Sequence, residues 1–226
     1  IGDGGGIWLL TFQNGTSIES NIVRDNFAGD HGGGVYVAGS LFGNPIDLDI
    51  SNNAIFRNIA AAIPLTGDSG GGIWVETTKA SIIRTTIVAN EGRGPENSWG
   101  GGIAIARAGR PYVAYNIIAF SSKGGGIKCW LGTEPRIENN ILWSNSGGET
   151  SGDCSSVLNL DGNIAVDPFL CSWETGNLKL AENSPALTHP SGTIGSTVEI
   201  GCPAVSIAVP STWSSIKVRF LQGGNQ

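Results

Sequence analysis

The 226-residue chain carries 13 Lys+Arg against 19 Asp+Glu, a formal charge of −6, which excludes a basic nucleic-acid binder. Its 35 glycines are about twice the usual share, yet 40% of residues are hydrophobic, which excludes a disordered low-complexity chain. No run approaches the roughly 18 consecutive apolar residues of a membrane helix, and the opening Ile1-Gly2-Asp3-Gly4 reads as a mature form or a fragment.

In chain order, the first element is Gly4-Gly5-Gly6 followed by the alternating Ile7-Trp8-Leu9. The same signature returns at Gly32-Gly33-Gly34-Val35-Tyr36-Val37, Gly70-Gly71-Gly72-Ile73-Trp74-Val75, Gly100-Gly101-Gly102-Ile103-Ala104-Ile105 and Gly124-Gly125-Gly126-Ile127-Lys128-Cys129. A second series interleaves with it: Asn21-Ile22-Val23, Ala54-Ile55-Phe56, Thr86-Ile87-Val88, Asn116-Ile117-Ile118 and Asn140-Ile141-Leu142. The isoleucines of this series lie 33, 32, 30 and 24 residues apart, the excess falling in loops around 38–45 and 60–68. Variable insertions at fixed places belong to the loops of a solenoid.

Within each repeat the apolar residues alternate with period two over short runs, and none sustains a 3.6-residue stripe. Each repeat is thus a set of short strands joined by bends. A coil this small cannot bury its own apolar side, whereas coils stacked in parallel share a continuous core. The expected fold is all-β, a right-handed parallel β-helix of about six coils spanning about 29 Å. Its inner ladders are expected to be Ile7, Val35, Ile73, Ile103 and Ile127, then Leu9, Val37, Val75, Ile105 and Cys129, then Ile22, Ile55, Ile87, Ile117 and Ile141. Asn21, Asn53, Asn116 and Asn140 read as a partial hydrogen-bonded ladder at one bend.

The stretch Cys129-Trp130-Leu131-Gly132-Thr133-Glu134-Pro135-Arg136-Ile137-Glu138-Asn139-Asn140-Ile141-Leu142-Trp143-Ser144-Asn145-Ser146-Gly147-Gly148 resembles the repeat of secreted bacterial right-handed parallel β-helix proteins of the pectate-lyase-like superfamily. The run from Asn163-Ile164-Ala165-Val166-Asp167-Pro168-Phe169 through Asn183-Ser184-Pro185-Ala186 to Gly201-Cys202 is similar to their closing segment. The resemblance implies repeats over 1–170, a capping segment of the same domain over 171–202 and an extension over 203–226. Cys171 and Cys202 flank the closing segment, where a bridge would staple it. Cys129 falls on an inner strand as a small apolar residue, and the sequence leaves the pairing of Cys154 open. Four cysteines in an acidic chain point to an extracellular or cell-surface protein. In the extension, Val205 to Val209 alternates like a strand, and Trp213, Ile216 and Phe220 share one face of a short helix suited to docking.

A lyase of that superfamily needs a carboxylate cluster for Ca²⁺ and a base. The best local match is Asp47-x-Asp49, on one face of a strand, with Glu19 as the one third ligand from a neighbouring rung, a weak Ca²⁺ set. No other cofactor is indicated. Asp30-His31-Gly32 lies in a repeat corner, which makes His31 a loop histidine, and no nucleophilic triad or phosphate-binding loop is present. Trp8, Tyr36 and Trp74 occupy outward positions on consecutive rungs, a candidate binding strip, with Trp99, Trp130 and Trp143 elsewhere on loops or outer positions. The favoured function is a non-catalytic extracellular or cell-surface protein acting in structure, adhesion or self-assembly, including filament formation through an open N-terminal end and the tail. The alternative is a polysaccharide-binding or polysaccharide-degrading protein. Partners are then a second copy, a cell-surface component or a polysaccharide, with no nucleic acid and no transmembrane segment.

Overall fold

The structure is a computed structural model that describes residues 2–11, 13–39, 46–61, 69–93, 100–130, 132–158, 160–196 and 199–205. The proposed docking residues Trp213, Ile216 and Phe220 lie outside the described residues. Three faces and a narrow fourth wind around one core. The first face stacks Ile7–Leu10, Val35–Ala38, Ile73–Glu76, Ile103–Ala106, Ile127–Cys129 and Thr150–Gly152. The second stacks Thr16–Glu19, Ile46–Ser51, Thr78–Ile83, Tyr112–Ala114 and Arg136–Glu138. The third stacks Ile22–Arg24, Ala54–Phe56, Thr86–Val88, Ile117–Ala119 and Ile141–Trp143, and the fourth Phe27–Ala28, Ile59–Ala60 and Glu91–Gly92. Every pairing within these faces is parallel, so the chain is the solenoid that the repeat period implied.

The strands break because one residue at each bend is left-handed. Ser20, Asp25, Asn52, Arg57, Arg84, Ala89, Tyr115, Phe120, Asn139 and Ser144 all have φ between 47° and 58°. For a residue with a Cβ this conformation costs roughly 1–2 kcal/mol. What offsets it is the next residue. After each bend stands a polar side chain, usually asparagine, and these form two ladders running along the core. In the first, Asn53 Oδ1 accepts the backbone N–H of Asn21 at 2.9 Å, Asn116 Oδ1 that of Thr85 at 2.8 Å, and Asn140 Oδ1 that of Asn116 at 3.0 Å. In the second, Asn58 Oδ1 accepts from Asn26, Asn90 Oδ1 from Asn58, and Asn145 Oδ1 from Ser121. Each amide nitrogen also donates back to a carbonyl of the preceding coil, as Asn58 Nδ2 does to Val23 O at 2.9 Å. Ala89 has no such side chain of its own to gain from. Ala89→Gly is therefore expected to stabilise the fold by about 1 kcal/mol, read as a higher midpoint in denaturant unfolding.

The first two inner ladders fall in register as expected, and Val35, Ile73, Ile103, Val37, Val75 and Ile105 are fully buried. The third is corrected. Its inward column is Val23, Ile55, Ile87, Ile118 and Leu142, while Ile22, Ala54, Thr86, Ile117 and Ile141 share the outward column. Both members of the aliphatic pair are apolar because the outer face is also covered: Leu178, Leu180, Ala186 and Ile194 pack on Ile117 and Ile141. Each fully buried isoleucine contributes about 1.5–3 kcal/mol.

The coils approach so closely that a side chain has no room at the triplet corners. A Cβ on Gly102 would stand 2.6 Å from the Gly126 carbonyl oxygen and 2.7 Å from Ile118 Cγ2.

The closing segment lies along a side of the solenoid. Leu170–Ser172, Asn177–Ala181 and Ile200–Cys202 form a small sheet against the outer side of the third face. At its C-terminal end the core is instead filled by Cys154, Val157 and Leu158. Cys129 is buried as expected and is bonded to Cys154, and Cys171 is bonded to Cys202, with Cα separations of 5.4 and 5.8 Å. Bridges closing segments of this length typically contribute about 3 kcal/mol each.

Candidate functional site

The outward column of the first face gathers the densest set of chemically distinctive side chains. Trp8, Tyr36, Trp74, Ala104 and Lys128 are consecutive partners across the rungs. The expected strip is thus in register, but it is not an open strip. Trp8 is 54% exposed, Tyr36 8% and Trp74 0%. Trp74 is closed in by the His31 ring at 4.2 Å and the Trp130 ring at 5.2 Å, while Trp8 stacks on Tyr36 at 6.2 Å.

Beneath these rings sits Glu76, a buried carboxylate with both oxygens engaged. Tyr36 Oη donates to Oε1 at 3.1 Å, Trp74 Nε1 to Oε2 at 3.0 Å, and the Arg107 guanidinium reaches both. Burial, then the Glu76 charge, pushes the Tyr36 phenol far above the ordinary tyrosine range. Three coils are joined through one carboxylate, since Tyr36, Trp74 and Arg107 belong to successive turns. The sequence reading missed Glu76 because a lone acid after Val75 carries no motif.

His31, expected in a loop, is buried. Its Nδ1 lies 2.6 Å from Asp3 Oδ1 and 3.6 Å from Asp30 Oδ1. Among the described residues this is the one group of three acidic, histidine or cysteine side chains whose ligand atoms lie within 4.8 Å of one another. The register explains it: Asp3 and His31 each immediately precede a glycine triplet, so successive coils superpose them.

Asp47, Asp49 and Glu19 do share one surface. They line a shallow groove of about 530 Å³ on the second face together with Lys79. Asp47 is the direct partner of Lys79, and Asp49 that of Ser17 and Ser81, while Glu19 faces Ser51. A cation at the Asp47 end would meet the Lys79 ammonium already there. A second groove, of about 760 Å³, opens between the third face and the closing segment, lined by Ile22, Arg24, Phe56, Lys179 and Glu199 among others.

Farther along the second face, Tyr112 donates to Glu138, which also binds Arg136. Burial first, then this bond, pushes Tyr112 up to about 12 from an ordinary value of 10.0. The Tyr112 hydroxyl, then Arg136, holds Glu138 below its ordinary value of 4.5. The raised phenol contributes stability that is complete below pH 10 and lost as pH rises toward about 12. The lowered carboxyl contributes stability that is present above pH 4.5 and lost as pH falls through its folded value. Tyr112→Phe is expected to flatten the alkaline limb of a stability–pH profile, and Glu138→Gln the acid limb.

The family profile described as right-handed β-helix region matches residues 5–184, four-fifths of the chain. The chain belongs to the right-handed β-helix family. Among curated proteins and among solved structures, none matches it. In this β-helix protein no helix of the described residues is long and apolar enough to cross a membrane.

Proposed function

We propose that this β-helix protein is a non-catalytic extracellular or cell-surface module that acts in structure and adhesion, working by assembly with a partner. The observation that carries the reading is the state of the first face. Tyr36, Trp74 and the buried carboxylate are spent on one another, with both oxygens of Glu76 engaged by Tyr36, Trp74 and Arg107. A general acid or base needs a carboxylate free to exchange a proton with substrate. Exposed apolar side chains gather instead on the first coil, at Trp8, Leu10, Ile22 and Phe27. Two disulfides fit an oxidising compartment.

The test is a depolymerisation screen on uronate and neutral polysaccharides, with and without Ca²⁺. No cleavage is expected under either condition. Cleavage that disappears in Asp49→Ala would establish the polysaccharide-degrading alternative and its Ca²⁺ set of Asp47, Asp49 and Glu19.

A further inference from the structure

The residue before each glycine triplet belongs to one column that runs across the coils, and Asp3, His31 and Ser69 occupy it in three successive turns. Backbone bonds fix the superposition: Gly4 N–H donates to His31 O at 2.8 Å, and Gly33 N–H to Gly70 O at 2.9 Å. The column thus brings together a carboxylate, an imidazole and a hydroxyl, and Asp30 adds a second carboxylate beside the ring.

His31 is buried, its ring packed against Trp74 at 4.2 Å, and its Nδ1 meets both acids, Asp3 Oδ1 at 2.6 Å and Asp30 Oδ1 at 3.6 Å. The His31 backbone N–H also donates to Asp3 Oδ1 at 3.3 Å, which fixes that carboxylate. One imidazole nitrogen carries one proton and serves one carboxylate at a time, whereas two face it here. Among the described residues no lysine or arginine stands within ion-pair distance of Asp3. After burial, the charges of Glu76 and Asp3 are what raise the Tyr36 phenol, the mark of a corner rich in negative charge. Ser69 Oγ, the next group in the column, is fully buried and has no hydrogen-bond partner among the described residues. A hydroxyl left in that state inside a fold marks a place for a water or an ion.

We propose that Asp3, Asp30 and His31 form a binding site for a divalent transition ion of the Zn²⁺ class, which clamps the coil of Asp3 to that of His31. An imidazole nitrogen with two carboxylates is a zinc-type donor set, whereas Ca²⁺ takes about six to eight oxygens and Mg²⁺ an octahedron of them. Bound at about 2.1 Å from each, a tetrahedral ion keeps its ligands roughly 3.4 Å apart. Asp30 Oδ1 stands at nearly that separation from Nδ1. Asp3 Oδ1 has to withdraw by less than about 1 Å, the ion replacing the Nδ1 proton, which leaves to solvent. The Asp3 and Asp30 side chains are partly exposed, so the ion has a way in. The groove of Asp47, Asp49 and Glu19 offers oxygens alone, beside Lys79, and serves as the internal control. All four cysteines are in disulfides, so no thiolate competes.

The test is Zn²⁺ titration of the full chain after chelation and dialysis without reductant, read by calorimetry and by melting. One ion per chain is expected to bind, and at about a hundredfold excess over its dissociation constant to raise the melting temperature by about 5 °C or more. Asp30→Asn keeps the size of the side chain and leaves the contact of His31 with Asp3 in place. It is expected to weaken binding at least about tenfold, while Asp49→Asn leaves binding unchanged. In the unaltered chain, Zn²⁺ is expected to shift the imidazole nitrogen resonances of His31 and not those of His189, a readout that needs no variant to fold. Absence of saturable binding, shifts at His189 alone, or equally tight binding by a folded Asp30→Asn would overturn the proposal and leave the cluster a hydrogen-bonded corner. So would an equal rise in melting temperature with Ca²⁺ that Asp30→Asn abolishes, since the ligands would then be oxygens alone.

Discussion

Asn58→Ala is expected to cost about 4 kcal/mol, although it deletes only an amide group. Asn58 is fully buried and stands in the middle of the second ladder. Its Oδ1 takes two donors from Asn26, and its Nδ2 donates to Val23 O and to Asn90 Oδ1. Truncation leaves the backbone N–H and the Nδ2 of Asn26 without their common acceptor and takes the side-chain donor from the Val23 carbonyl, where each orphaned group costs about 1–3 kcal/mol. Arg57, just before it at φ 54°, then keeps its left-handed strain with less to offset it. Urea unfolding of Asn58→Ala beside Asn21→Ala is the check. Asn21 is exposed on the first coil, and its truncation is expected to cost less than about 1 kcal/mol. Equal losses at the two positions would show that the ladder contributes no more inside than at the edge.

Glu76→Ala is expected to have an effect of similar size by a different route. It strands Trp74 Nε1 and the Tyr36 hydroxyl, both enclosed, and frees Arg107 to solvent, for about 4 kcal/mol in all. Glu76→Gln keeps an acceptor for one donor and is expected to lose about half as much. It also removes the negative charge beside Tyr36, so the phenol should ionise at lower pH than in the parent while burial still holds it above an ordinary tyrosine. Absorbance titration of both proteins reads the second effect independently of stability.

The solenoid and most of its register were legible because the repeat is written twice, in the glycine triplets and in the second apolar series. The triplets alone align Ile7, Val35, Ile73, Ile103 and Ile127, and the structure pairs those residues. The second series misled where it was aligned on isoleucine. Aligned on the bend, Asn21-Ile22-Val23 matches Asn53-Ala54-Ile55, and the inward residue is then the third of each triplet. The same alignment exposes the second ladder. Asn26, Asn58, Asn90 and Asn145 each fall five residues after a residue of the first, a spacing present in the sequence but overlooked beside the more conspicuous aliphatic pairs.

The site was less legible for a physical reason. Alternation tells which way Tyr36 and Trp74 point, but whether an outward side chain meets water depends on what folds over it. His31, Trp130 and Glu76 come from the preceding bend, a later loop and the end of a strand, and nothing local in the sequence places them together. The closing segment is similar. Its apolar residues pack on the outward isoleucines Ile117 and Ile141, which the period-two reading assigns inward.

Residue-resolved hydrogen exchange of the full chain tests the central claim most directly, that two buried asparagine ladders hold a stack of parallel coils together. The backbone amides of Asn58, Asn116 and Asn140, which donate to the next asparagine, are expected among the slowest in the protein, with those of the first coil exchanging faster. Ladder amides that exchange as fast as exposed loops, while the strands beside them stay protected, would contradict it.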